Sequence, residues 1–144
     1  MSNLELARKA LQGFSSGDTA LMNDLLTDDF QFLGVTPHPL TKQDYMGFMQ
    51  AMNTAFPDFK FNETSASESG DTVTIKHHIT GTQTGPLNAP GLPSIPATGK
   101  KFTLPEETSV FTFKGGKAIK YLGEPAPDGG LPGILRQLGV PMPG

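Results

Sequence analysis

Few residues in this chain could carry chemistry: three histidines, two tyrosines and 14 carboxylates, with no cysteine. Without cysteine there is no disulfide, no thiolate nucleophile and no sulfur-ligated metal. His77 stands in a stretch of period two, on the face that also carries Val73, Ile75 and Ile79. An imidazole on such a face points inward, where it serves either as an acid/base tuned near neutrality or as a hydrogen-bonded wall residue. His78 points the opposite way, so the pair cannot share one metal ion, and no third histidine stands at ligand spacing. No metal site or cofactor is expected. Counting back from Phe111 and Phe113 puts Ser109 and Glu107 inside and Glu106 outside, although Pro105 can reset this register through a bulge. An inward carboxyl in apolar surroundings has a raised pKa and suits acid–base work. The plainer alternative is two solvated acids at a strand end. Tyr45 offers either a phenol to a ligand carbonyl or simple packing with a polar tip. His38, between Pro37 and Pro39, is placed at the edge of the pocket mouth.

The elements that must position these groups follow from periodicity. Leu4, Leu6, Ala7, Ala10, Leu11 and Phe14 recur at helical spacing, and Asp18 caps a short second helix with Leu21, Met22, Leu25 and Leu26. Phe30 and Phe32 alternate as a strand. The segment 36–40, with two prolines, is a loop. Thr41 starts a third helix, with Asp44 as its capping partner and Tyr45, Phe48, Met49, Met52 and Phe56 as its stripe. Beyond Pro57 the period becomes two: Phe59 and Phe61, a polar turn over Ser65–Asp71, then Val73–Ile79. A proline-rich loop over Pro86–Thr98 follows, then long strands over Lys101–Phe113 and Ala118–Glu124 joined at Gly115-Gly116. Leu131, Ile134, Leu135 and Leu138 predict a short helix or turn docked near the C-terminus. Helices followed by a meander specify an α+β domain spanning residues 1–144, three N-terminal helices lying in the concave face of a curved antiparallel sheet. The space between helix and sheet is expected to be a pocket walled by Phe32, Phe56, Ile75 and Phe111, with His77 and Glu107 among its few polar groups.

The composition agrees with a packed domain. The chain has 144 residues, 36% of them hydrophobic, and its 17 glycines and 13 prolines fall short of a disordered composition. The net charge of −3 is unevenly spread. The C-terminal half is mildly basic with scattered lysines and lacks the dense basic stripe of a nucleic-acid binder. No apolar run has the ~18 residues of a membrane span, and the Met1–Gln12 segment, with Glu5, Arg8 and Lys9, is unlike a secretory leader. The expectation is a cytoplasmic protein with neither nucleic-acid nor membrane partners.

Five short motifs occur in order: Phe56-Pro57-Asp58-Phe59, Gly81-Thr82-Gln83-Thr84-Gly85, Thr98-Gly99-Lys100, Gly116-Lys117 with Ile119, and Gln137-Leu138-Gly139. Over residues 5 to 140 the chain thereby resembles the SnoaL-like polyketide cyclases of the nuclear transport factor 2-like (cystatin-like) superfamily. The resemblance implies a cone-shaped fold with an apolar pocket, a homodimer formed through the sheet, and cofactor-free aldol ring closure with an aspartate near the end of the last strand. The position where that aspartate is usual holds Pro125, next to Glu124, and the nearest aspartate is Asp128. Glu124 faces outward unless the chain bends before Pro125, and Asp128 in Pro127-Asp128-Gly129-Gly130 is a natural turn former. Glu124 and Asp128 are therefore the family's candidates, and His77 and Glu107 those of strand alternation. Three functions remain open: an acid–base enzyme (aldol cyclase or isomerase type) on an apolar carbonyl-bearing molecule, a non-catalytic small-molecule binder, or a structural dimer whose pocket is self-filled.

Overall fold

The computed structural model describes residues 2–35, 38–88 and 94–140. Residues 36–37 of the first loop, 89–93 of the proline-rich loop and 141–144 of the tail lie outside them. The chain begins with α1 (Asn3–Ser16), whose first turn is capped by the Ser2 hydroxyl accepting from the Glu5 amide, and α2 (Thr19–Leu25), capped by Asp18. Strands β1 (Leu26–Leu33) and β2 (Leu40–Thr41) lead into α3 (Lys42–Ala55), where Thr41 accepts from the Asp44 amide as the sequence predicts. Then follow β3 (Glu63–Ser69), β4 (Thr72–His77), β5 (Thr80–Thr82), β6 (Lys101–Thr103), β7 (Glu107–Lys114), β8 (Lys117–Glu124) and α4 (Gly130–Gln137).

Six strands form one sheet in the order β2-β1-β8-β7-β4-β3, and β5 pairs with β6 alone. The inward faces of β4, β7 and β8 meet α1 and α3 across one core that includes Phe14, Met49, Met52, Val73, Ile75, Phe111 and Phe113. The result is a mixed α+β fold with a curved sheet. No helix among the described residues is long and apolar enough to cross a membrane.

Several expectations are corrected. The described residues hold a fourth helix beside the three N-terminal ones, because the C-terminal segment expected as a short helix or turn forms α4 over Gly130–Gln137. The sheet is mixed rather than antiparallel: β1 runs parallel to β8, with Phe32 opposite Tyr121. Alternation marks a strand's faces but carries no information on the direction of a partner far away in sequence. The polar stretch predicted as a turn over Ser65–Asp71 is mostly strand β3, an edge strand with exposed side chains on both faces, and the turn is confined to Gly70 and Asp71. Charged and polar residues are what an exposed edge requires, so polarity there hid a strand. Phe59 and Phe61, predicted as a strand, flank only the single bridge Lys60↔Thr80. The predicted long strand Lys101–Phe113 is split at Leu104–Glu106 around Pro105, which has no N–H to give the ladder. In addition, strict alternation would put Ile119 and Tyr121 on one face, but β8 carries a bulge opposite Thr112 and Phe113, so that Ala118 and Tyr121 face inward and Ile119 does not.

The first three motifs are joined to one another, and the fifth is tied to β6. Asp58 accepts from the Thr82 amide (2.7 Å) and the Thr82 hydroxyl (2.8 Å). Gln83 is fully buried. Its side-chain oxygen accepts from the Thr98 amide and hydroxyl, and its NH2 group donates to the Ile95 and Pro96 carbonyls. Gln137 exchanges two hydrogen bonds with the Thr103 backbone, at 2.8 and 2.9 Å. These residues hold the bent end of the sheet to α3 and α4. Gln83→Ala is expected to cost about 1–3 kcal/mol, because it strands several backbone groups at once. A Tm that does not fall would contradict this role.

Candidate functional site

A cavity of about 80 Å³ lies between α3 and the sheet, near the C-terminal ends of β4 and β8. Its aromatic wall is Phe14 from α1, Phe32 from β1, Tyr45 and Phe48 from α3, and Phe59 and Phe61 from the segment after α3. Most of these rings pack edge-on or tilted, with Phe32 and Tyr45 centroids 4.9 Å apart, and Phe32 stacks on Phe48. They stand there because helical spacing puts Tyr45 and Phe48 on one stripe and alternation puts Phe32 on the inner face of β1. Gly130, Leu131 and Ile134 of α4, with Pro125 before it, close the fourth side.

The polar groups come from adjacent strands. His77 and Glu107 are register partners across β4 and β7, so both side chains leave the sheet on the same face. The His77 ring meets Phe61 edge-on. Its Nε2 shares a hydrogen bond of 2.7 Å with Ser109 Oγ, which shares another of 2.7 Å with the Tyr121 hydroxyl. A chain of three polar groups thus crosses β4, β7 and β8 on the cavity floor. His77 Nδ1 is buried without a partner among the described residues. Burial, with a smaller effect from the neighbouring His78, pushes the imidazole down to about 4, so the ring is neutral at pH 7.

Glu107 is 5% exposed, and its Oε2 accepts from the amides of Ala126 and Gly130, both at 2.9 Å. Burial raises its pKa, and the two N–H groups pull part of the way back. Burial pushes the Tyr121 phenol up to about 12 and the Tyr45 phenol well above its ordinary value, so both hydroxyls keep their protons. A carboxyl, a neutral imidazole, a serine hydroxyl and two phenols therefore face one apolar space. Such a set can accept a proton, give one back and donate hydrogen bonds to a developing oxyanion.

Of the residues singled out from sequence, Phe32, Tyr45, His77 and Glu107 line the cavity, and Glu124 touches its edge with an exposed side chain. Phe56, Ile75 and Phe111 are buried but lie outside the lining. Phe56 packs edge-on against Phe102, and Phe111 stacks on Tyr121 at 4.3 Å. Alternation identifies the inner face, whereas the gap between helix and sheet decides which stretch of it stays open. Asp128 is exposed 3.6 Å from Arg136 and His38 is exposed in its loop; neither lines the cavity. Sequence reasoning did not nominate Ser109, Tyr121, Leu131 or Ile134. Ser109 was already on the face of Glu107, and a hydroxyl left on an apolar face was the available signal. Among the described residues no three His, Asp or Glu side chains cluster as metal ligands do.

The arrangement has close structural relatives. A candidate SnoaL-like polyketide cyclase from Jannaschia sp. CCS1 is 17% identical with a TM-score of 0.78, covering 97% of this chain and 93% of that one. IdmH, a candidate polyketide cyclase from Streptomyces antibioticus, is 20% identical with a TM-score of 0.73 over 97% and 100% of the two chains. AclR, a candidate hydroxylase from Streptomyces galilaeus, is 18% identical with a TM-score of 0.75 over 95% of each. At these identities the likeness shows the fold alone. No curated protein matches the sequence. The family model described as the SnoaL-like domain matches residues 7–121, and the chain belongs to that family.

Proposed function

We propose that the cavity is the site of an acid–base enzyme without a cofactor, of aldol cyclase or isomerase type, acting on an apolar carbonyl-bearing small molecule. The observation that carries this reading is a buried carboxyl, Glu107, beside the His77–Ser109–Tyr121 chain in an otherwise aromatic space. Glu107 takes a proton from the carbon next to the substrate carbonyl; the C–H electron pair becomes the enolate, whose oxygen accepts from the Tyr45 hydroxyl. In ring closure the enolate carbon attacks a second carbonyl, and protonated Glu107 returns its proton to the new alkoxide. Desolvation makes the carboxylate a stronger base than it is in water. His77, neutral and with Nε2 committed to Ser109, fixes the floor of the site and is a positioning residue. The double backbone contact of Glu107 also suits a non-catalytic binder in which this carboxyl is purely structural.

Thermal-shift screening of aromatic polyketides and small ketones identifies ligands. Deuterium incorporation next to the ligand carbonyl in D2O, followed by NMR, then separates the two readings. Glu107→Gln is expected to slow that exchange roughly a hundredfold or more, the usual size of acid–base effects. Full activity in this variant, with loss in Glu124→Gln or Asp128→Asn, assigns the acid to the family's position. Binding without exchange assigns the site to a binding module. The outer sheet face, with Thr74, Val110, Thr112 and Leu122 half-buried, supports pairing of two copies through the sheet. Sedimentation as a monomer at tens of micromolar (roughly the range of weak-interface dissociation constants) counts against that dimer.

A further inference from the structure

We infer that Glu107 also latches α4 over the cavity, and that the ligand of this site enters by releasing that latch. The inference rests on the cavity being the ligand site, as proposed above, and adds the ligand's route.

Space is the first reason. The resting cavity of about 80 Å³ is roughly half of the ~150 Å³ that holds a benzene ring in a protein core. Even a ligand with one ring therefore requires a wall to move. Most walls belong to the sheet or to α1 and α3, whose side chains continue into the core. The wall of Pro125, Gly130, Leu131 and Ile134 also reaches the core through Ile134, Leu135 and Leu138, but α4 follows the sheet and its two ends are held by separate side chains, Glu107 at one and Gln137 at the other.

The far end is pinned by the pair of hydrogen bonds between Gln137 and the Thr103 backbone, with Leu138 buried beside them. The near end is held by Glu107. Gly129, at the N-cap position of α4, has no side chain with which to cap it. The cap comes instead from another element: Glu107 Oε2 accepts from Gly130 at the start of the helix and from Ala126 ahead of it. A Cβ placed on Gly129 would run into that same carboxylate oxygen, so the loop sits as close to Glu107 as only glycine permits. A swing about the Gln137 end breaks both bonds and opens the cavity. It also frees the carboxylate at the moment the ligand arrives, so entry and base availability become one event.

Three variants separate the parts. Glu107→Ala removes the acceptor, and Gly129→Ala pushes the loop off an intact carboxylate. Glu107→Gln keeps an oxygen that accepts from both amides while losing the base. Amide hydrogen exchange is read at Ala126 and Gly130, and entry of the neutral dye N-phenyl-1-naphthylamine is read by stopped-flow fluorescence. Exchange at both amides and the entry rate are expected to rise about tenfold or more in Glu107→Ala and Gly129→Ala and to stay within about threefold of wild type in Glu107→Gln. Unchanged exchange of β4 and β7 amides shows that the sheet remains folded. Wild-type exchange in both disrupting variants overturns the latch; faster exchange without faster dye entry, or no dye entry in any protein, overturns the ligand route. None of these readouts depends on turnover: a fully active Glu107→Gln sinks Glu107 as the base alone, and wild-type exchange in both Glu107→Ala and Gly129→Ala sinks the latch alone.

Discussion

Gly34→Ala is expected to destabilise the fold by about 3 kcal/mol, the sum of roughly 1–2 for forcing a side chain into a left-handed backbone and 1–3 for overpacking. Gly34 has φ +94°, and a Cβ there would run into the Gly123 carbonyl oxygen and meet a Leu122 methyl at 3.0 Å. The carbonyl is backbone of β8 and cannot turn aside, whereas the Leu122 methyl, on the half-buried outer face, has only to give way. The position directly follows Leu33, which pairs with Leu122 in the parallel β1–β8 register. The close approach that glycine allows is therefore part of what lets β1 lie along β8 beside the cavity. Urea unfolding measures the effect. Gly116→Ala, at φ +78° with open space around its Cβ, carries only the backbone part and is expected to lose about 1 kcal/mol. Equal losses in the two variants would show that crowding against β8 contributes nothing.

Acid is expected to remove about 3 kcal/mol of stability through His77 alone, since a fall of about 2.5 units at ~1.4 kcal/mol each separates the ordinary value of 6.5 from about 4. The sign follows from proton uptake. Between those values the unfolded chain binds a proton that the buried ring refuses, so the contribution is complete above pH 6.5 and is lost as pH falls toward 4. Glu107 acts in the opposite sense. Its raised value keeps it protonated in the fold after the unfolded carboxyl has ionised, so its contribution falls as pH rises above the ordinary carboxylate range. Asp58 and Glu63, held low by Thr82 and Arg8, lose their contributions on acidification, but both are exposed and solvent screens them. Urea titrations from pH 7 to 4 on wild type and His77→Phe isolate the ring. The wild-type curve should fall more steeply across that interval, and parallel curves would mean that the imidazole titrates normally.

The sequence alone determined the local order of this protein. Helical stripes, the Ser/Thr/Asp caps and the Gly115-Gly116 turn are short-range physics, and α1, α2, α3 and the β7–β8 hairpin stand where that physics puts them. Alternation also placed His77, Ser109 and Glu107 on one inner face, because the two-residue period of a strand is independent of what it packs against. Tertiary structure decided what no local pattern encodes. The direction of β1 against β8 depends on a partner distant in sequence, and the polar edge strand β3 reads as a turn until β4 supplies its hydrogen bonds. The bulge in β8 shifts Tyr121 onto the face that completes the chain from His77 through Ser109. The extent of the cavity is likewise non-local. Phe32 lines it while Phe111 and Ile75 fill core, since helix placement and the closure of α4 on Glu107, rather than residue type, fix where packing leaves a gap.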